Sequence, residues 1–354
     1  MKILLTSNDI TVIGGVERVV VNLANAFDEL GFEVEILSFY ASEECCKYAL
    51  NPTIKLTFYK PFLDIHTKKP FLRFFAKTLY RFFVAFKMKK AYKDVDIAIY
   101  NCYFYPYFKN KTTRYFKIKH SHFKNTYSVK DKIFDALIVI SSKELEQWKR
   151  KFKNVFLIHN FLSTIPKENA DIYSKVVLSV GRMSKDDIKG FVRLIDIWNL
   201  LQKQEYFKEW RLHIVGEGDF RGYLQKKIKE LGLENSILLK PFTQEISKEY
   251  LNASIYCLTS KNEGLPTVLL EASSYALACI SFDILTGPSD IIEDERSGFL
   301  IPDNDLQLYA KSLALLMQDS CLREKFGKRA KEIALKKFSK EQIMQEWLIL
   351  FQTL

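Results

Sequence analysis

Three short stretches carry side chains whose types and spacing suit chemistry on an anion. The first is Ser179-Val180-Gly181-Arg182, then residues 183–188, then Lys189-Gly190-Phe191. Arg182 leaves a strand end, and Lys189 stands just before a helix whose free N–H groups carry partial positive charge. Two cations flanking that helix end suit a diphosphate; a solvated strand–helix loop would use the same residues. The second stretch is Glu263-Gly264-Leu265-Pro266-Thr267-Val268-Leu269-Leu270-Glu271. Pro266 suits a first helical turn, so Glu263 falls on the loop and Glu271 about one and a half turns inside the helix. A carboxylate within the apolar run 268–272 is expected to be buried, which is costly without partners. Vicinal ribose hydroxyls would be suitable donors; a backbone group or a neighbouring lysine is the alternative. The third stretch, Gly14-Gly15-Val16-Glu17-Arg18, permits close approach of a ligand to the backbone, although tight turns also use such glycine pairs.

These residues need strand ends and helix starts to hold them. Apolar strand-like runs fall at 2–6, 33–38, 54–58, 95–100, 115–119, 136–140 and 155–158, and again at 176–180, 211–215, 237–239, 255–258, 278–282 and 298–301. Helical patterns lie between them, for instance at 16–30 and 71–92. Such alternation predicts an α/β fold with parallel sheets covered on both faces. It restarts after the polar stretch 161–174, so the 354 residues divide into two doubly wound domains, 1–165 and 166–338. Ligands bind at the carboxyl ends of such strands, and two facing sheets make a cleft. The chain is almost all helix from Leu306. The last segment, 339–354, carries Ile343, Met344, Trp347, Leu348, Leu350 and Phe351, and is expected to pack back on the first domain.

Composition narrows the setting. Apolar residues make up 48% and charged residues 27%, which excludes whole-chain disorder. The longest apolar runs are too short to cross a bilayer, the first strand is too short for a signal-peptide core, and the six cysteines show no metal spacing. A cytoplasmic protein with reduced thiols is expected. The net charge of +11 is uneven: residues 1–165 hold 27 Lys+Arg and 15 Asp+Glu (27 − 15 = +12), and the remainder 26 and 27 (26 − 27 = −1). The first half is therefore expected to meet something anionic.

Taken together, these motifs resemble the retaining glycosyltransferases of the GT-B fold, family-four type, over nearly the whole chain and most strongly from Val176 to Pro302. Glu263 and Glu271 match the family's paired glutamates. Gly181-Arg182 with Lys189-Gly190 resembles its diphosphate-binding pair, and Gly14-Gly15-x-Glu17 its N-terminal loop. The segment 286–292 with 297–301 is similar to a subgroup that builds bacterial surface polysaccharide and lipid-linked oligosaccharide, including lipopolysaccharide or capsule. The resemblance implies two Rossmann-like domains and transfer of a hexose or N-acetylhexosamine from a UDP-sugar to a saccharide or lipid-linked acceptor.

By the same resemblance Arg182 and Lys189 neutralise the donor diphosphate, and Glu271 holds the ribose. Glu263, with Gly264, Leu265, Pro266 and Thr267, meets the transferred sugar and phosphate. Gly14 and Gly15 approach the diphosphate, and His120 faces the donor sugar. The gap from Arg182 to Lys189 is longer than the usual family spacing, so Lys185 is an alternative second cation; in Lys119-His120-Ser121-His122, His122 is an alternative ring. No Asp-x-Asp metal motif accompanies the diphosphate residues. Asp186-Asp187 reads as solvated, and Asp94-x-Asp96 has no partner motif. Arg182 and Lys189 would do a metal's electrostatic task, so neither metal nor cofactor is expected beyond the nucleotide sugar.

The acceptor side is read from 60–93, with ten Lys+Arg against one acid, Asp64. Lys68, Lys69, Arg73, Lys77 and Arg81 are interleaved with phenylalanines, a pattern that suits peripheral binding to an anionic inner membrane face. A packed helix with Phe inward and Lys outward is the alternative. Rival functions are a GT-B sugar-nucleotide epimerase or non-catalytic homologue, a nicotinamide oxidoreductase, which lacks its G-x-G-x-x-G, and a nucleic-acid-binding protein, which lacks any RRM, KH or zinc-finger signature. No nucleic-acid partner is expected.

Overall fold

The computed structural model describes residues 1–60, 71, 74 and 79–354. They divide into two compact units: Met1–Ile140 with Glu144–His159 and Met344–Leu354, and Ser141–Lys143 with Asn160–Ile343.

The first unit is built on seven parallel strands: β1 (Lys2–Asp9), β2 (Glu33–Tyr40), β3 (Lys55–Phe58), β4 (Ile97–Tyr100), β5 (Arg114–Lys119), β6 (Ala136–Val139) and β7 (Val155–Leu157). Their order is β3-β2-β1-β4-β5-β6-β7. Helices cover both faces, which is why β4 and β6 read as continuous apolar runs rather than as alternation. Strand order reverses between β1 and β4, whose register pairs Thr6 with Tyr100. The helix Gly15–Glu29 leaves β1 at that point and buries Val20, Leu23 and Phe27. The end of the chain completes this unit. In the helix Lys340–Thr353, Trp347 packs edge-on to Phe27 at 5.8 Å, and Phe351 stacks on Phe116 of β5 at 6.0 Å. Arg114 donates to the Phe351 carbonyl.

The second unit has six parallel strands: β8 (Val176–Val180), β9 (Arg211–Val215), β10 (Ile237–Lys240), β11 (Ile255–Leu258), β12 (Ala278–Asp283) and β13 (Gly298–Pro302). Their order is β10-β9-β8-β11-β12-β13, with the reversal between β8 and β11. The core beneath holds Trp198, Leu194, Phe282 and Tyr309, each fully buried. Doubly wound sheets bind ligands where the strand order reverses, because the loops from the two central strands diverge there and leave a crevice. The loops after β8 and β11 are the two stretches singled out above.

Candidate active site

In the second unit Gly181 follows β8 and donates its N–H to Val215 at 3.0 Å. The Lys189 side chain crosses it so closely that a Cβ at residue 181 would stand 2.9 Å from Lys189 Cγ. Gly190 has φ +67°, and a Cβ there would stand 1.8 Å from the Thr259 carbonyl oxygen, so the loops after β8 and β11 touch backbone to backbone. Arg193, buried in the helix Phe191–Gln202, fastens that contact. It donates to the Thr259 and Ser260 carbonyls, each at 2.6 Å, and to Asp303 at 2.7 Å. The result is a constellation on one oxygen: Glu263 Oε1 accepts from Lys189 Nζ at 2.7 Å and from Ser260 Oγ at 2.6 Å. Thr286, after β12, donates its hydroxyl to the Glu263 carbonyl.

Glu271 lies in the helix Thr267–Ser274, with 7% of its surface exposed, and accepts from Tyr250 Oη at 2.8 Å. A tyrosine from another helix is thus one of its donors. The two glutamates share a neighbour. Tyr256 is fully buried, and burial first, then the charges of Glu263 and Glu271 among others, drive its phenol well above the usual range. The helix that follows Gly264, Leu265 and Pro266 begins at Thr267, and no side chain caps it. Arg182 is exposed at the start of the loop after β8, whereas Lys185 makes a loose, exposed pair with Asp219 at 3.7 Å.

One expectation is corrected. Asp187 is not solvated: it is 6% exposed, and its carboxylate accepts from the N–H of Phe191 at 2.8 Å and from Lys261 Nζ at 3.0 Å. The start of the helix Phe191–Gln202 is therefore filled by the chain's own carboxylate and is not an open anion site. The left-handed turn at Asp187 and Gly190 folds the aspartate under the helix, a geometry that charge spacing does not reveal. Elsewhere in the first unit, Lys2 Nζ reaches Asp94 at 2.9 Å, and the Lys2 N–H reaches Asp96 at 2.7 Å.

In the first unit Gly14 precedes the helix Gly15–Glu29 and exchanges hydrogen bonds with the Tyr48 hydroxyl at 3.2 and 3.0 Å. A Cβ at Gly14 would strike the Glu17 carboxylate, whereas a Cβ at Gly15 would meet nothing within 4 Å, so the backbone there is open to approach. His120 follows β5, and its Nε2 lies 2.7 Å from Asn101 Oδ1. Burial, then the ammoniums of Lys117 and Lys119, hold its pKa down to about 3, so the ring is neutral at working pH. His122 instead starts the short helix Phe123–Thr126. Tyr48, Asn101, Arg193, Tyr250 and Ser260 were not found from the sequence; each reaches its partner through tertiary contact, without a local motif.

Lys68, Lys69, Arg73 and Lys77 lie outside the described residues. Arg81 falls in the helix Leu79–Ala91, which buries Tyr80, Val84 and Ala85. Its phenylalanines are half-exposed: Phe82, Phe83 and Phe86 are 46%, 50% and 44% exposed, while Phe82 packs on Tyr107 at 4.4 Å and Phe86 on Phe108 at 5.8 Å. Lys87 and Lys90 lie over the rings of Phe83 and Phe86, each at 4.7 Å. Among the described residues no helix is long and apolar enough to cross a membrane.

Known proteins resemble this chain. The model of the family described as glycosyl transferases group 1 matches residues 163–333. A Haemophilus influenzae protein named an uncharacterized glycosyltransferase is 30% identical, over 94% of this chain and 95% of its own. A Campylobacter jejuni α-1,4-N-acetyl-D-galactosaminyltransferase, whose name gives a diphospho-undecaprenol-linked glycan as its substrate, is 31% identical, over 95% of this chain and 94% of its own. Of solved structures, S. aureus TarM, crystallised with UDP among its ligands, superposes with a TM-score of 0.79 at 19% identity, covering 99% of each chain, a likeness of fold. The chain belongs to the glycosyl transferases group 1 family and is a glycosyltransferase of the GT-B fold.

Proposed function

We propose that this glycosyltransferase moves a hexose or N-acetylhexosamine from a UDP-sugar, with retention at C1 and without a metal ion, onto a saccharide or lipid-linked saccharide in bacterial surface glycan synthesis. The observation that carries the reading is the convergence of Lys189 and Ser260 on Glu263 where strand order reverses, with Glu271 buried on the adjoining helix. Loss of a nucleoside diphosphate builds negative charge on the leaving phosphate. Lys189 and Arg182 meet that charge more strongly in the transition state than in the ground state. Glu271 takes the ribose hydroxyls. Glu263, with the backbone of Gly264 and Leu265 and the helix start at Pro266 and Thr267, meets the sugar and its phosphate. In the first unit, Gly14 and Gly15 offer backbone to the diphosphate, and neutral His120 offers a hydrogen bond to the sugar. The acceptor attacks from the face the phosphate leaves, and the phosphate takes its proton; trapping the sugar covalently on a side chain would overturn this step.

The UDP named with the TarM structure supports the choice of nucleotide, and the Campylobacter relative's name supports a polyprenyl-linked acceptor. The half-exposed phenylalanines and the cations of Leu79–Ala91 support peripheral binding at the inner face of the cytoplasmic membrane. Flotation with anionic liposomes at low salt tests that part, and failure to bind refutes it. A thermal-shift panel of nucleotide sugars tests the donor: UDP-sugars raise the melting temperature, GDP-sugars do not, and no shift with any refutes the reading. Arg182→Ala and Glu271→Ala should each lose about tenfold or more in turnover or donor affinity with the fold intact.

A further inference from the structure

At the carboxyl edge of the first sheet, Asn101 follows β4 directly beside the reversal point. It is 5% exposed, and its Oδ1 lies 2.7 Å from His120 Nε2. Among the described residues its Nδ2 is buried without a hydrogen-bond partner, and so is the hydroxyl of Ser7, one residue beyond the paired Thr6 and Tyr100. A buried amide with an unmet N–H is destabilising, and an apolar side chain of the same shape would avoid that cost. The one side-chain bond that Asn101 makes in exchange is to the histidine.

We propose that Asn101 is a positioning residue for His120: by accepting a hydrogen bond from Nε2–H it fixes the ring's orientation and tautomer and leaves Nδ1 as the acceptor nitrogen for a donor-sugar hydroxyl. The proposal rests on the reading that His120 meets the donor sugar. An amide oxygen accepts without carrying a charge, so the pairing selects a tautomer while burial and the nearby ammoniums keep the ring neutral; a carboxylate in its place would favour imidazolium. The charged groups acting on the ring are Lys117 and Lys119 of its own strand. Lys117 donates to the Cys102 carbonyl on the loop after β4, and Lys119 pairs with Asp131 of the turn Val129–Ile133 at 2.5 Å. Further along, Glu144 accepts from the Phe123 N–H, next to His122. None of these contacts brings a carboxylate onto His120, so the amide is its acceptor.

The test uses the full chain with ¹⁵N-labelled histidine, the His120 signals being identified by their loss in His120→Gln. In the wild type, His120 should show the Nε2–H tautomer with no titration between pH 5 and 8. In Asn101→Asp it should titrate in that window, and kcat with a UDP-sugar should fall as the ring becomes protonated. In Asn101→Ala the tautomer should mix, with kcat lowered about tenfold and KM for the donor changed less than threefold. Should the alanine variant fail to fold, the near-isosteric aspartate variant decides alone. An Nδ1–H tautomer in the wild type, or a ring state and kcat–pH profile in Asn101→Asp identical to the wild type's, overturns the proposal while leaving the donor reading intact. Undiminished transfer by His120→Gln overturns both.

Discussion

Lys189 and Glu263 allow the sharpest trial of the site. Lys189→Met removes the ammonium but keeps an apolar stem across Gly181, and Glu263→Gln keeps an acceptor for Ser260. The charges stand 2.7 Å apart with side chains 25% and 11% exposed. At an effective dielectric of about 20, this gives roughly 6 kcal/mol of gross attraction. Partial burial offsets most of it, leaving a net coupling of about 1–2 kcal/mol. Lys189→Met should therefore cost about 2–3 kcal/mol of stability, since it leaves Glu263 charged with only Ser260, and adding Glu263→Gln should recover about 1–2 kcal/mol. Urea unfolding followed through Trp198 and Trp210, both in the second unit, reads that cycle. In transfer, losing a charge-assisted hydrogen bond to the leaving diphosphate is worth about 2–3 kcal/mol, a fall of roughly 30- to 150-fold in kcat/KM. Strictly additive stability effects would refute the pairing. Transfer by Lys189→Met within about threefold of the wild type would refute the role on the phosphate.

Gly190→Ala should destabilise the second unit by about 3 kcal/mol or more, because the new methyl meets the Thr259 carbonyl at 1.8 Å in a left-handed turn; a loss below about 1 kcal/mol in melting experiments would contradict that contact. Trp347→Ala should cost the first unit about 3–5 kcal/mol, since the ring is 2% exposed against Phe27 and Phe351, and an unchanged near-ultraviolet spectrum and melting point would count against the docked helix. For His120, the folded pKa of about 3 lies below the unfolded 6.5, so the unfolded chain takes up a proton first as the pH falls. Its contribution is present above pH 6.5 and is lost progressively toward pH 3, on the order of 3–5 kcal/mol at most. The His120→Gln variant should have a flatter stability profile across that window, and parallel profiles would refute the buried, neutral ring.

Much of the architecture was legible in order along the chain. The thirteen strands of the described residues lie at the apolar runs of the sequence, because a strand covered on both faces buries most of its side chains. Gly181, Lys189 and Glu263 stood out as candidates because glycine, a cation and a loop carboxylate beside strand ends have few purely structural uses together, and the structure brings the three into contact. Partnership was harder to read. Asp187 and Asp186 are indistinguishable as neighbours in sequence, yet one is folded beneath a helix start by a left-handed turn and the other stays exposed.

The amino-acid order alone therefore determined the alternation of elements, the basic first half, the apolar last helix and the types of group available for transfer, since these depend on periodicity and composition. Tertiary structure decided which group satisfies which: Tyr250 on Glu271, Ser260 and Lys189 on one oxygen of Glu263, Asn101 on His120, Asp187 on the helix that was expected to hold an anion. Hydrogen bonds are met across strands and helices that are distant in the chain, and their partners are set by strand order and register, which local spacing does not encode.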